Sequence, residues 1–278
     1  MRSYLKWIGL LSCFLSFNLN GQNIGSTFKM AQDFMESGNY AAAINTFERV
    51  VYFDTQNQYA LNSSLLSARC YSALNETNKA IKAYNQALLH TNTDSLESEI
   101  ALEKAQYLLQ CSYWKKALRE LYSIQPTSTD QEYLLNYLLG AALFANDDLV
   151  QSEFYFLEIA QTEAERLAIK AIFEKATKKL NPKRAKIAKW VSLIIPGSGQ
   201  IAAGNFKSGI NSILLLGGMG YIYTRTYKEY GVISGMITIL PWFSRYHVGG
   251  SENAEESMLN RQEKLKSKYF NQLIDLVR

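Results

Sequence analysis

Between residues 24 and 165 the apolar positions of this chain recur in two interleaved sets. Small side chains stand at Ala31, Ala68 and Ala105 and again at Ala43, Ala80 and Ala117. Large ones stand at Phe34, Tyr71 and Leu108 and at Phe47, Tyr84 and Leu121, and a further apolar set comprises Val50, Ala87 and Ile124. Every step is 37 residues, the mark of an internal repeat. One more step, of 35 residues, reaches Gly140, Leu143, Ser152, Phe156 and Ile159, so a fourth and more divergent copy follows. In each copy the apolar residues keep helical spacing on two stretches separated by a polar turn. The turns fall at Ser37 to Asn39, Asn75 to Asn78, Cys111 to Ser112, and Asn146 to Asp148. Each copy therefore predicts a helix hairpin whose apolar face is buried only by stacking on its neighbours. A further helix from about Glu163 to Leu180 closes the stack and stops at Asn181 and Pro182.

The pattern changes after Leu180. Six cations without an acid, Lys178, Lys179, Lys183, Arg184, Lys186 and Lys189, abut an apolar run beginning at Trp190. Such a basic stretch suits anionic lipid headgroups. Three apolar stretches follow, over residues 187–203, 209–223 and 231–243, and none is an unbroken membrane span. The first contains Pro196, Gly197 and Gly199, which predicts a re-entrant or interfacial bend rather than a straight helix. The other two predict a two-pass hairpin packed through Gly217, Gly218, Gly220, Gly231 and Gly235. Residues 251–278 predict an amphipathic helix with Leu259, Leu265, Tyr269, Leu273 and Leu276 on its apolar face.

At the other end, Arg2 and Lys6 precede an apolar run from Trp7 to Phe17 and a polar stretch ending near Gly21, the layout of a secretory signal over residues 1–21. The expected organisation is thus a signal (1–21), a hairpin array with its closing helix (22–180), a glycine-rich membrane domain (181–250) and a C-terminal helix (251–278).

Charge sharpens this division. From Gln22 to Thr177 there are 12 Lys/Arg against 19 Asp/Glu, a net of −7, whereas Lys178 to Arg278 holds 15 against 6, a net of +9. An acidic array followed by a basic, apolar segment fits a domain tethered to a membrane and argues against a nucleic-acid binder. Composition argues against an enzyme: the chain has 2 His and 3 Cys, and no HExxH, GxSxG, Walker or CxxC pattern. No metal or other cofactor is expected. Cys70 and Cys111 lie in helical patterns, where a disulfide is open but buried packing thiols are the commoner outcome.

The string Ala31, Phe34, Gly38, Asn39, Tyr40, Ala43, Phe47 and Val50 resembles a tetratricopeptide (TPR) repeat, with Trp114 and Leu149 replacing the turn aromatic in later copies and Ser112 and Asp147 replacing the turn glycine. The resemblance implies an all-α fold, a TPR-like helical-hairpin solenoid. It also implies a concave face that binds an extended peptide or helix of a protein partner. By position that groove comprises Gln32, Met35, Asn62, Leu65, Arg69, Ser72, Gln106, Leu109, Tyr137 and Phe144, with Phe28, Leu102 and Ala141 beside them. Farther on, Pro196, Gly197, Gly199, Gln200, Gly204 and Gly209 resemble the Pro-Gly-x-Gly-Gln signature of small bacterial TM2-like membrane domains, which implies a small helical membrane domain. The two resemblances imply a membrane-tethered scaffold in a bacterial envelope, and the signal over residues 1–21 places its array on the exported, periplasmic side. The alternative is a transport or lipid-handling component in which the array is regulatory.

Overall fold

The computed structural model describes residues 23–277, and the expected signal lies outside them. All regular secondary structure among the described residues is α-helical. The chain divides between Asn146 and Asp147 into two compact units, a boundary inside the turn expected for the fourth hairpin.

The first unit holds α1 (Ile24–Glu36), α2 (Tyr40–Phe53), α3 (Ala60–Ala73), α4 (Thr77–Leu88), α5 (Asp94–Gln110), α6 (Trp114–Leu121) and α7 (Thr129–Ala145). Each packs on the next, and α5 packs also on α7. Side-chain oxygens of Asn23, Asn39, Thr93 and Ser128 accept from the first free N–H groups of α1, α2, α5 and α7, which fixes where these helices begin. The repeating alanines lie at the helix contacts: Ala31, Ala43, Ala68, Ala80, Ala105 and Ala117 are fully buried. A larger side chain there would push the paired helices apart. Aromatics and leucines fill the remaining space, with Phe47, Tyr84, Leu108 and Leu121 buried.

The turns explain the tolerance for lost glycine. Gly38 has φ 76°, and Asn75, Ser112 and Asp147 hold the same left-handed region at 58°, 62° and 66°. Gly38 N donates to Met35 O and Asn39 N to Phe34 O; the pattern repeats at Asn75 and Glu76 and at Ser112 and Tyr113. This is the paired C-terminal closure that satisfies the last carbonyls of a helix. Backbone hydrogen bonding holds the strained residue in place even where a Cβ makes it costly.

The second unit contains α8 (Leu149–Glu158), α9 (Glu163–Lys179), α10 (Lys183–Ile194), α11 (Ser198–Ala202) and α12 (Phe206–Leu276). A capping box of Thr162 and Glu165 starts α9, which packs on α8 through Phe156 and Phe173, their ring centroids 6.0 Å apart. Helix α12 is two arms joined at Gly231, whose φ of 84° and ψ of 175° only glycine adopts readily. The arms fold back on each other. A Cβ on Gly235 would lie 3.1 Å from the Tyr223 ring, and Asn205 Nδ2 donates to Ser257 Oγ across the base at 3.3 Å.

Two expectations are corrected here. No helix among the described residues is long and apolar enough to cross a membrane, so the expected two-pass hairpin is a hairpin without a spanning helix. Its apolar stretches are bounded by Lys207 and Arg225 on one arm and by Arg245 on the other. The C-terminal segment is not a separate helix but the continuation of the second arm. It turns Ser251, Ala254, Met258, Tyr269 and Leu273 inward while Leu259 is exposed, because packing on α9 and α10 selects that face.

Candidate functional site

The groove positions do not all face solvent. Asn62, Arg69 and Gln106 are exposed, and Gln32, Met35, Leu65, Ser72, Leu109 and Tyr137 are half-buried. Phe144, Leu102 and Ala141 are buried, so their side chains are core rather than lining. Met35 and Phe28 pack on the cluster around Phe47, and Leu65 on the one around Tyr84. Ser72 Oγ donates to Ala68 O, a contact within its own helix.

Arg69 is held by a neighbouring copy. Its Nε and an Nη each donate to one carboxylate oxygen of Glu103, both at 2.8 Å, and Tyr84 OH donates to Glu103 Oε1 at 2.9 Å. The Glu103 hydrogen bond raises the Arg69 pKa. Burial first, and then the Glu103 charge, raises that of Tyr84. These three side chains tie α3 and α4 to α5, so Arg69 works first as an inter-repeat clamp. Glu103 and Tyr84 are not among the groove positions the sequence suggests; the 34-residue separation of Arg69 and Glu103, near but not equal to the 37-residue step, is the only signal that could have pointed to Glu103.

The glycine-rich signature has a definite geometry. The Gly199 N–H donates to Ser192 Oγ at 2.8 Å, and the Ser192 hydroxyl donates to Gln200 Oε1 at 3.4 Å. Gln200 is fully buried, and its Nε2 donates to Gly250 O at 2.6 Å and to Ser212 Oγ at 3.4 Å. One amide thereby joins α10, α11 and both arms of α12. Each glycine has its own reason. A Cβ at Gly199 would lie 2.4 Å from Ala188 O, one at Gly197 2.3 Å from Gly209 O, and one at Gly209 2.5 Å from Ile201 Cγ1. Gly204 meets nothing but has φ 81°, where it turns the chain from α11 into α12. Pro196 precedes this turn and stops α10. The signature is a clasp at the base of the hairpin. Its partners Ser192, Ser212 and Gly250 carried no local signal, because only the fold brings them to Gln200.

Above the clasp the two arms are apolar outward as well as inward. Leu214 is 68% exposed and Ile237 70%, with Ile210, Ile222, Ile233, Leu240 and Trp242 also exposed. Between the arms Leu216, Met219, Tyr223, Met236, Leu240 and Phe243 line an apolar gap of about 260 Å³. No group of His, Cys, Asp and Glu that could hold a metal ion is found among the described residues. Cys70 and Cys111 are free thiols, and burial pushes that of Cys70 up to about 11.

Comparison with protein-family models, curated proteins and solved structures returns no match.

Proposed function

We propose that this protein is a scaffold of TPR-like helix hairpins anchored to a lipid surface by the apolar hairpin of α12, with its array exported into a bacterial envelope. The observation that carries the anchor is the outward apolar face of both arms, fixed at its base by the Gln200 clasp. A face of that extent is the kind that meets a membrane or a partner. Its flanks favour the membrane. Tyr227 and Tyr230 lie near the tip, Tyr221 and Trp242 about midway along the two arms and Tyr246 nearer the base, and such rings prefer the interface, where a hairpin lying flat would place all of them.

The hairpin lies along the interface rather than entering tip first. Residues 210–223 and 232–243 make apolar stretches of roughly 21 and 18 Å, against a hydrocarbon core of about 30 Å. Tip-first entry would carry Lys228, which has no ion-pair partner among the described residues, and the loose Arg225–Glu229 pair at 3.8 Å into hydrocarbon, at roughly 3 kcal/mol for the unpaired charge alone on insertion scales. Lying flat keeps those groups among headgroups and buries the aliphatic faces.

The array supplies the docking face. Its exposed polar positions Asn62 and Gln106 stand on the first helices of successive hairpins, and the Arg69–Glu103 pair holds those helices in register. A protein segment lying along them is the partner.

Two experiments test the reading with the full chain. In the first, Lys228→Cys is placed in a chain without other cysteines and bound to the outside of sealed vesicles. An impermeant maleimide outside labels it if the hairpin is interfacial, and fails to if the tip crosses. In the second, photo-cross-linkers at residues 62 and 106 capture one defined partner, whereas the same group at Tyr52 does not; equal capture at both contradicts the groove.

A further inference from the structure

We propose that α10 is a second lipid contact, an amphipathic helix that makes the anchor selective for anionic phospholipid; this rests on the lipid reading of the α12 hairpin. The structure sorts the residues of α10 into two opposite faces. Ala185, Ala188 and Ser192 are buried, and the first two join Ala203 and Met258 in one cluster. Ile187, Trp190, Val191 and Ile194 face away from that cluster, at positions i, i+3, i+4 and i+7. Trp190 is 67% exposed and Ile194 81%. A short helix that buries alanines and exposes isoleucine and tryptophan has its apolar face outward, the reverse of a helix whose only contact is its own core.

The cations divide in the same way. Of the six in the basic run, Lys178 is paired with Glu174 and Lys189 with Glu255 at 3.0 Å, and Lys179 ends α9 outside this helix. Lys183, Arg184 and Lys186 are exposed and make no ion pair among the described residues. At 100° per residue Lys183 falls on the apolar face, in the turn before Ile187, while Arg184 and Lys186 flank that face on either side. Long cationic side chains on the flanks of an apolar face reach headgroups while their stems stay in contact with acyl chains. A zwitterionic surface would leave these three charges uncompensated, whereas anionic headgroups neutralise them.

The occupant is therefore an anionic bilayer surface. Continuity supports this over a protein groove: α10 leads through Pro196 and the Gln200 clasp directly into the apolar arms, so both contacts belong to one packed unit.

The test is flotation of the full chain with vesicles of phosphatidylcholine alone and with about one third phosphatidylglycerol, at fixed salt. Wild type binds the anionic vesicles more tightly. The variant Lys183→Gln/Arg184→Gln/Lys186→Gln loses that preference, by on the order of a hundredfold for three cations near the surface. A charge-matched variant in the array, Lys29→Gln/Lys82→Gln/Lys115→Gln, keeps it. Trp190→Ser weakens binding to both vesicle types. A wild type without anionic preference, or a triple α10 variant that retains it, overturns the proposal while leaving the hairpin anchor standing. Absence of binding to either vesicle overturns the hairpin reading itself, and Leu214→Ser/Ile237→Ser, which should weaken binding to both vesicle types while keeping the anionic preference, separates the two contacts.

Discussion

The side-chain amide of Gln200 donates to the carbonyl oxygen of Gly250, 50 residues away, at 2.6 Å. That single bond spans the base of the α12 hairpin, and the amide is fully buried. Replacing Gln200 with Leu keeps an apolar side chain in the space but removes its bonds to Gly250 O and Ser212 Oγ and leaves the buried Ser192 hydroxyl, which still accepts from Gly199 N, without an acceptor for its own proton. Each buried polar group left unsatisfied costs about 1–3 kcal/mol, so a loss of about 2–4 kcal/mol is expected in denaturant unfolding of the full chain.

The glycines around the clasp should separate by geometry. Gly199→Ala forces a methyl group to 2.4 Å from Ala188 O, a backbone atom that cannot step aside, and should prevent the clasp from closing. Gly204→Ala has room but a φ of 81°, and should cost about 1–2 kcal/mol. Gly217→Ala has neither obstacle and gains up to about 1 kcal/mol of helix propensity. Melting temperatures of the three variants should fall in that order, lowest for Gly199→Ala.

The repeat turns make the opposite prediction. Ser112 occupies a left-handed conformation with φ 62°, so Ser112→Gly should stabilise the array by about 1 kcal/mol. Gly38→Ala should destabilise it by a similar amount, as φ there is 76°. Asp147→Gly mixes two effects, because Asp147 also accepts an ion pair from Lys266.

Alkaline stability should report on Cys70. Its folded pKa, pushed by burial from 9.0 to about 11, means that below pH 9 the thiol is neutral both folded and unfolded. Between pH 9 and 11 the unfolded thiol ionises while the folded one keeps its proton, so stability falls as pH rises through that window. Cys70→Ala should move the onset up toward pH 10, where half-buried Tyr71 and buried Tyr84, both raised first by burial, begin to contribute. Unfolding free energies measured from pH 7 to 11 check both onsets.

Much of the array was legible because its constraint is local and repeated. An alanine every 37 residues marks a helix contact whatever else surrounds it, and all six such alanines are buried. The groove was less legible. Phe144 shares the helical phase of the exposed positions but is buried, and Arg69 is occupied by Glu103. In the second unit the apolar stretches were visible but their partners were not. Leu259 was placed on the inner face because it is apolar, yet Ala254 and Met258 occupy that face and Leu259 is left outside. The clasp was visible only as spaced glycines, since Ser192, Ser212 and Gly250 join it through the fold of α12.

The most direct test of the anchor is the depth of Trp242 in a bilayer, measured by fluorescence quenching with lipids brominated at successive acyl positions, in a chain whose other tryptophans are replaced by phenylalanine. An interfacial hairpin predicts strongest quenching by the shallowest bromines and little by those near the bilayer centre. No quenching at any depth, or a maximum at the bilayer centre, would contradict the account.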